Sequence, residues 1–208
     1  DPYCGGTVPG MLTLALPVTH DGEVAGFVAI RFAAPDLAGD VPGPFQPEAH
    51  EIWQEAFRIT PVKLARAGAP QRDVRRYVLK NTRAPGHLDN DLTAAAVAAR
   101  RVATRLEAMF AARGAGLVLG AADYRIAQAR ARLASHLGGL AGGDGQPRVP
   151  GTDAVVRVEV LRDADRLVLD FAGTTATVGG AAHLTPAATK AVVLAELAAE
   201  VIEDAGMS

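Results

Sequence analysis

The pair Asp21-Gly22 separates two apolar runs, Leu12 to Val18 and Val24 to Phe32, an order that a tight β-hairpin satisfies directly. Glycine supplies the positive φ that a two-residue turn requires, and Pro17 near the end of the first run is tolerated at a strand terminus. The second run is apolar nearly throughout, so burial on both faces is expected of it. A glycine-marked turn, Asp1-Pro2-Tyr3-Cys4-Gly5-Gly6-Thr7, stands in front of the hairpin. Residues 1–36 are therefore expected to organise the rest of the chain and to hold any chemistry.

Downstream, Pro35 to Pro47 carries four prolines and two glycines and reads as a loop. Pro47-Glu48 opens an expected helix over 47–58, with Ile52, Trp53 and Phe57 at helical spacing. Glu51 and Glu55, four apart, would share one face of it. Thr60-Pro61 to Leu64 is expected to be extended, because a residue before proline is driven from the helical region. A helix over 70–82 follows, with Val74, Tyr77 and Val78 on its apolar side. The longest helix is expected over 89–113. There Leu88, Leu92, Ala95, Ala99, Val102, Leu106 and Met109 recur as a helix–helix seam. Arg100, Arg101, Arg105 and Glu107 form its solvated outer face. Gly114 and Gly116 end it, and a partner helix over 117–137 is expected to pack against it antiparallel.

Six glycines and two prolines mark 138–151 as a flexible connection. Beyond it the apolar period becomes two: Val156, Val158 and Val160 are followed, across a turn at 162–165, by Leu167, Leu169 and Phe171. That is a hairpin with one buried face. Thr185-Pro186, an N-cap followed by proline at N1, starts a final helix to about Ala205, with Gly206 as its stop. Its stripe is Val193, Leu194, Leu197, Val201 and Ile202. The expected organisation is a β-hairpin plus helical region over 1–137, a Gly/Pro linker over 138–152, and a hairpin plus C-terminal helix over 153–208. The fold class is α/β or α+β: a β-hairpin-rich core with a long helical hairpin and a second β-ribbon.

The 208 residues are 49% apolar and 21% charged, the balance of a globular protein. A net charge of −2 argues against nucleic acid or an anionic membrane as the main partner. Cys4 is the sole cysteine, which precludes an internal disulfide and fits a reducing, cytoplasmic setting. Gly5-Gly6 lacks the Gly-Lys-Ser/Thr ending of a phosphate loop, and no G-x-G-x-x-G is present. Ser135 and Ser208 are not in nucleophile elbows. His20, His50, His87, His136 and His183 form no pair with metal-ligand spacing. Of these, His50, beside Glu51, is the candidate for chemistry. Glu51 and Glu55 could raise each other's pKa and act as acid and base, or simply be solvated or paired with Arg58 and Lys63.

Several stretches together resemble the hydantoinase B/oxoprolinase family. They are Asp1-Pro2-Tyr3-x-Gly5-Gly6-Thr7, Pro17-Val18-x-His20-Asp21-Gly22-Glu23-x-x-Gly26-Phe27-Val28-Ala29-x-Arg31, and Pro42-Gly43. Further on they are Glu51-Ile52-x-Gln54-Glu55, Arg58-Ile59-x-Pro61-Val62-Lys63-Leu64 and Leu167-x-Leu169-Asp170-Phe171-x-Gly173-Thr174. The resemblance is collinear over essentially the whole chain, and it implies a B-type subunit that works with an ATP-using A-type partner. Such pairs hydrolyse cyclic amides such as hydantoins and 5-oxoproline, or carboxylate ketones. The A-type subunit phosphorylates and the B-type subunit completes the reaction, in several members at a divalent metal. The family domain is much longer, so the chain is expected to be a fragment or a split subunit.

The family pattern continues Gly-Gly-Thr-His-x-x-Asp and, later, Arg-x-His-His-x-Asp. Here Val8, Met11, Ala33 and Ala34 stand at the His, Asp and His-His positions, and only Asp36 remains. None of the four offers oxygen or nitrogen to a hard or borderline cation. The expected function is thus a metal-less, non-catalytic B-type component of a hetero-oligomeric hydantoinase/oxoprolinase-like complex. It would have no cofactor of its own, with ATP and Mg in the partner subunit. The alternatives are a metal-independent amide hydrolase or acyl/carboxyl-transfer subunit using Glu51, Glu55 or Asp36, and a stand-alone binding domain.

Overall fold

The computed structural model describes residues 1–43, 45–139, 142–163, 166–176 and 184–204, with main chain alone at 138–139, 162–163 and 200–204. His183, Ala205, Gly206, Ser208 and the centre of the 162–165 turn lie outside the described residues, as do the side chains of Val201 and Ile202.

The hairpin forms as its turn chemistry requires. Strands β1 (Met11–His20) and β2 (Glu23–Ala33) pair antiparallel from His20↔Glu23 to Met11↔Ala33, with an irregularity at Val18/Thr19. Asp21 and Gly22 both have positive φ, 51° and 83°, the signature of a turn whose twist matches that of the strands. Alternation puts Leu12, Leu14, Leu16 and Val18, with Val28, Ile30 and Phe32, on one face. Helix α3 (Pro85–Arg113) lies across that face. The expected burial of β2 on both faces is not found: Phe27 on the other side is 68% exposed. Among the described residues the sheet has two strands, and α3 covers one side of it.

The α3 seam therefore meets a sheet. Its buried residues are Leu88, Leu92, Ala95, Ala99, Ala103 and Phe110, whereas Val102 and Met109 are exposed. A straight helix of 3.6 residues per turn drifts off the heptad spacing that places 102 and 109 in a coiled-coil seam. Alanines at 95, 99 and 103 let the helix axis approach the strands closely. Helix α4 (Ala115–Gly139) follows across Gly114, whose φ of 76° and ψ of 149° break the helical path. Its contact with the core is through Ala115 and Val118, packed with Phe110 and Leu106 beside that joint. None of its described side chains is fully buried, so the lengthwise antiparallel packing expected on α3 is replaced by a local one.

Between hairpin and α3 the chain is mostly loop. The helix expected over 47–58 is one short turn, α1 (Ile52–Glu55). Ala56 is already extended, and the Gln54 and Leu37 carbonyls accept from Asp40 N–H (2.9 Å) and Phe57 N–H respectively. Long-range pairing with the 37–40 loop thus replaces the i→i−4 ladder. Two short strands, β3 (Ala65–Arg66) and β4 (Ala69–Pro70), turn about Ala67-Gly68, both at positive φ. Helix α2 (Arg72–Lys80) then seats Val78 in the core, while Tyr77 stays exposed with its ring edge to Phe57.

Within the expected linker, Gly143–Gly145 forms β5 and pairs with β6 (Val158–Asp163), which pairs with β7 (Arg166–Asp170). Leu167 and Leu169 face inward as the alternation predicts. Helix α5 (Pro186–Asp204) starts at the expected cap, where Ala188 N–H donates to Thr185 Oγ1 at 3.3 Å. It packs on α4. The architecture is mixed helix and small antiparallel sheets, as expected of the fold class.

Candidate functional site

The opening turn is built on Asp1. Its carboxylate accepts from Tyr3 N–H (2.9 Å), and its carbonyl accepts from Cys4 N–H (3.1 Å) and Gly6 N–H (2.9 Å). Gly5 has φ 89°, and a Cβ on Gly6 would sit 2.7 Å from the Asp1 carbonyl oxygen. Both glycines are therefore required by the turn. The second Asp1 carboxylate oxygen faces Arg58 Nε at 3.5 Å, and the Arg58 guanidinium lies over the Tyr3 and Trp53 rings. Thr7 accepts from Arg31, which ties the turn to β2. This turn, the start of β1 and the segment Ile59–Val62 enclose a cleft of about 380 Å³. Cys4, Thr13 and Thr60 give it polar groups, and Val78 and Leu92 lie at its apolar side.

The four altered positions converge at the hairpin's open end. Met11 is the register partner of Ala33, and Ala34 N–H donates to the Gly10 carbonyl at 2.9 Å. Val8 is held by the turn in front, where its carbonyl accepts from Met11 N–H at 3.3 Å. Met11 lines the cleft, while Ala34 is 1% exposed and belongs to the hydrophobic core. The side chains at these four positions carry a thioether and hydrocarbon, so this donor set does not fit a divalent cation that takes oxygen or imidazole ligands. Among the described residues, no three His, Cys, Asp or Glu are grouped so as to hold a metal ion.

Asp36 turns away from that cluster. It is 4% exposed, and one carboxylate oxygen accepts from the N–H groups of Ala38 (3.1 Å) and Arg83 (2.8 Å). The other accepts from Gly43 N–H (3.1 Å) and the Arg83 guanidinium (3.0 Å). Arg83 also donates to the Gly39 and Val41 carbonyls, and the Thr82 hydroxyl to the Asp36 carbonyl. Burial by itself would raise the Asp36 pKa. Backbone donors at Arg83, Gly43 and Ala38, with the Arg83 side chain, outweigh it and hold the group at about 2. This geometry ties the loop after β2 to the start of α3.

The other candidates stand apart from the cleft. Glu51 precedes α1 in an extended conformation (φ −146°, ψ 155°), so it does not share a helical face with Glu55. Gln54 accepts through Oε1 from the N–H groups of His50 (2.7 Å) and Glu51 (3.2 Å), which uses His50 as backbone and leaves its ring exposed. Glu55 is half-buried, and that burial raises its pKa. No hydrogen bond or ion pair joins Asp36, His50, Glu51 and Glu55 to one another among the described residues. His20 stacks on Phe110 (5.4 Å), and His87 is exposed. Sequence reasoning missed Arg58 as the partner of Asp1 and Arg83 as the partner of Asp36. The Arg58 motif carried a signal in its resemblance, but Arg83 lies 47 residues from Asp36 and carried none.

The sequence profile of hydantoinase B/oxoprolinase matches residues 1–206. The chain is 37% identical over 78 residues to a caprolactamase subunit beta from Pseudomonas jessenii, a match covering 38% of this chain and 13% of that protein. It is 33% identical over 82 residues to a 5-oxoprolinase from Dictyostelium discoideum, covering 39% of this chain and 6% of the relative. The chain thus aligns with only a small part of these relatives. The crystal structure of an ATP-dependent caprolactamase from Pseudomonas jessenii shares the fold, with a TM-score of 0.73 at 24% identity, over 81% of this chain and 30% of that one. The chain belongs to the hydantoinase B/oxoprolinase family.

Proposed function

We propose that this chain is a B-type component of a cyclic-amide-acting complex with an ATP-using partner, and that it supports the assembly without binding the divalent metal itself. One observation carries the reading. The backbone positions of Val8, Met11, Ala33 and Ala34 lie together at the open end of the hairpin, where the family pattern has His, Asp and His-His, and their side chains bring no oxygen or nitrogen ligand. The turn, the hairpin and the cleft retain the form of a site, so its frame serves packing and assembly. ATP and Mg belong to the partner in this reading, and the setting is cytoplasmic.

The test is metal analysis of the purified complex, chain by chain. This chain is expected to carry no stoichiometric Zn or Mn, and a full equivalent bound to it would overturn the reading. A second reading, metal-independent acyl chemistry, is favoured by Glu55, whose burial keeps a proton to higher pH than an exposed carboxylate. Glu55→Gln in the assembled complex separates the two. Unchanged turnover supports the scaffold, and lost turnover with intact assembly supports the enzyme.

A further inference from the structure

We propose that the concavity between α2 and the start of α3 binds a small molecule carrying a phosphate or pyrophosphate group. Arg72, Arg76 and Lys80 recur every four residues along α2 and form one exposed stripe. With Arg75, Leu79 and Pro85 they line a concavity of about 470 Å³. Four of its lining residues are cationic and none is acidic, in a chain whose net charge is −2.

Only one of these cations is neutralised within the fold. Arg75 Nε meets Asp89 at 2.6 Å, and its guanidinium also donates to the Asp89 carbonyl (2.9 Å) and the Thr93 hydroxyl (2.5 Å). Arg75 is thereby held in place. Arg72, Arg76 and Lys80 have no ion pair among the described residues. No acidic residue occupies the first turn of α3, so nothing there compensates them. The plain alternative is a solvated basic face such as Arg100, Arg101 and Arg105 present on α3. Those three are exposed and line neither this hollow nor the cleft beside Asp1, whereas the α2 cations line a hollow with Leu79 and Pro85 in its wall.

The chemistry of the lining selects the ligand class. Guanidinium forks match the paired oxygens of phosphate, and several adjacent cations favour a group carrying more than one negative charge. The volume falls in the range of about 300–1,000 Å³ typical of small-molecule sites, which is short for an extended acidic segment. Leu79 and Pro85 offer apolar contact to the rest of such a molecule. The site shares no residue with the cleft beside Asp1 and Met11.

Isothermal titration of the full chain with sodium pyrophosphate tests this, with citrate at equal ionic strength as the carboxylate comparison. One pyrophosphate site is expected, weakened by about tenfold or more when Arg72→Ala, Arg76→Ala and Lys80→Ala are combined. Combining Arg100→Ala, Arg101→Ala and Arg105→Ala removes the same charge from the outer face of α3 and is expected to leave binding unchanged. Absence of pyrophosphate binding, equal weakening by both triple variants, or citrate binding as tight as pyrophosphate would each overturn the proposal. Circular dichroism checks the fold of each variant. If the α2 triple variant is unfolded, Lys80→Glu alone replaces it, and unchanged pyrophosphate affinity there overturns the proposal too.

Discussion

The two halves of the chain use the same parts, a β-hairpin and long helices, yet they bury them very differently. Through Phe110 the hairpin β1–β2, the loop after it and α3 contain nearly all the fully buried hydrophobic residues. Beyond it, Ala154 and Ala188 are the only ones among the described residues. Strand length and residue size account for the contrast. The ten- and eleven-residue strands of the first hairpin offer a long row of Leu, Val, Ile and Phe, and α3 answers with Leu and Ala at matching spacing. The β6–β7 ribbon is half that length, and its inward leucines stay half-buried. Helix α4 leaves Leu117, Tyr124 and Ile126 exposed. The first half thus holds its own core, while the described part of the second leaves large apolar side chains exposed.

Three measurements test this contrast between the halves. The largest effect is expected from Asp36→Ala, which takes the acceptor from the N–H groups of Ala38, Gly43 and Arg83, while the half-exposed Arg83 guanidinium keeps the Gly39 and Val41 carbonyls. At about 1–3 kcal/mol for each donor left without a partner, a loss of about 3–5 kcal/mol in urea denaturation is expected. A loss below about 1 kcal/mol would show that the first half does not depend on this anchor. Next, Leu88→Ala and Leu117→Ala compare the halves directly. Leu88 is 0% exposed and Leu117 61%. The first change is expected to cost about 2–5 kcal/mol and the second to stay within about 0.5 kcal/mol. Similar losses at both would mean that α4 is packed in solution.

The smallest effect is the pH dependence of the Asp36 anchor. Its folded pKa of about 2 lies below the ordinary value of 3.8, so its stabilising contribution is fully present above about pH 4 and disappears as pH falls through 2. The shift corresponds to about 2 kcal/mol. Denaturation midpoints compared between the protein and Asp36→Asn should differ at pH 6 and converge near pH 2. A difference unchanged across that range would remove the carboxylate from the account.

Much of the fold was legible because its signals are local. Asp21-Gly22 specifies a two-residue turn, Thr185-Pro186 a helix start, and the alternation at 167–169 a strand face. Helix α1 shows where local reasoning stops. The apolar spacing at Ile52, Trp53 and Phe57 is helical, but Phe57 N–H takes the Leu37 carbonyl and ends the helix after one turn. That change also separated Glu51 from Glu55, so the proposed acid–base pair on one face was lost with the helix. Residues of the candidate site were recoverable where resemblance marked a motif, as at Asp1 to Thr7 and Arg58, and invisible where Arg83, 47 residues from Asp36, supplied the partner.

The sequence alone determined the hairpin and its turn, the caps, the existence of the long helices, and the absence of side-chain oxygen or nitrogen ligands at Val8, Met11, Ala33 and Ala34. Each depends on residues a few positions apart, or on side-chain identity by itself. Tertiary structure decided which face of β2 is covered, that the α3 seam meets a sheet and not a helix, and that the four altered positions converge. It also decided that Asp36 faces Arg83 and that the cations of α2 line a hollow. These depend on contacts between segments far apart in the chain, whose geometry only the packed molecule specifies.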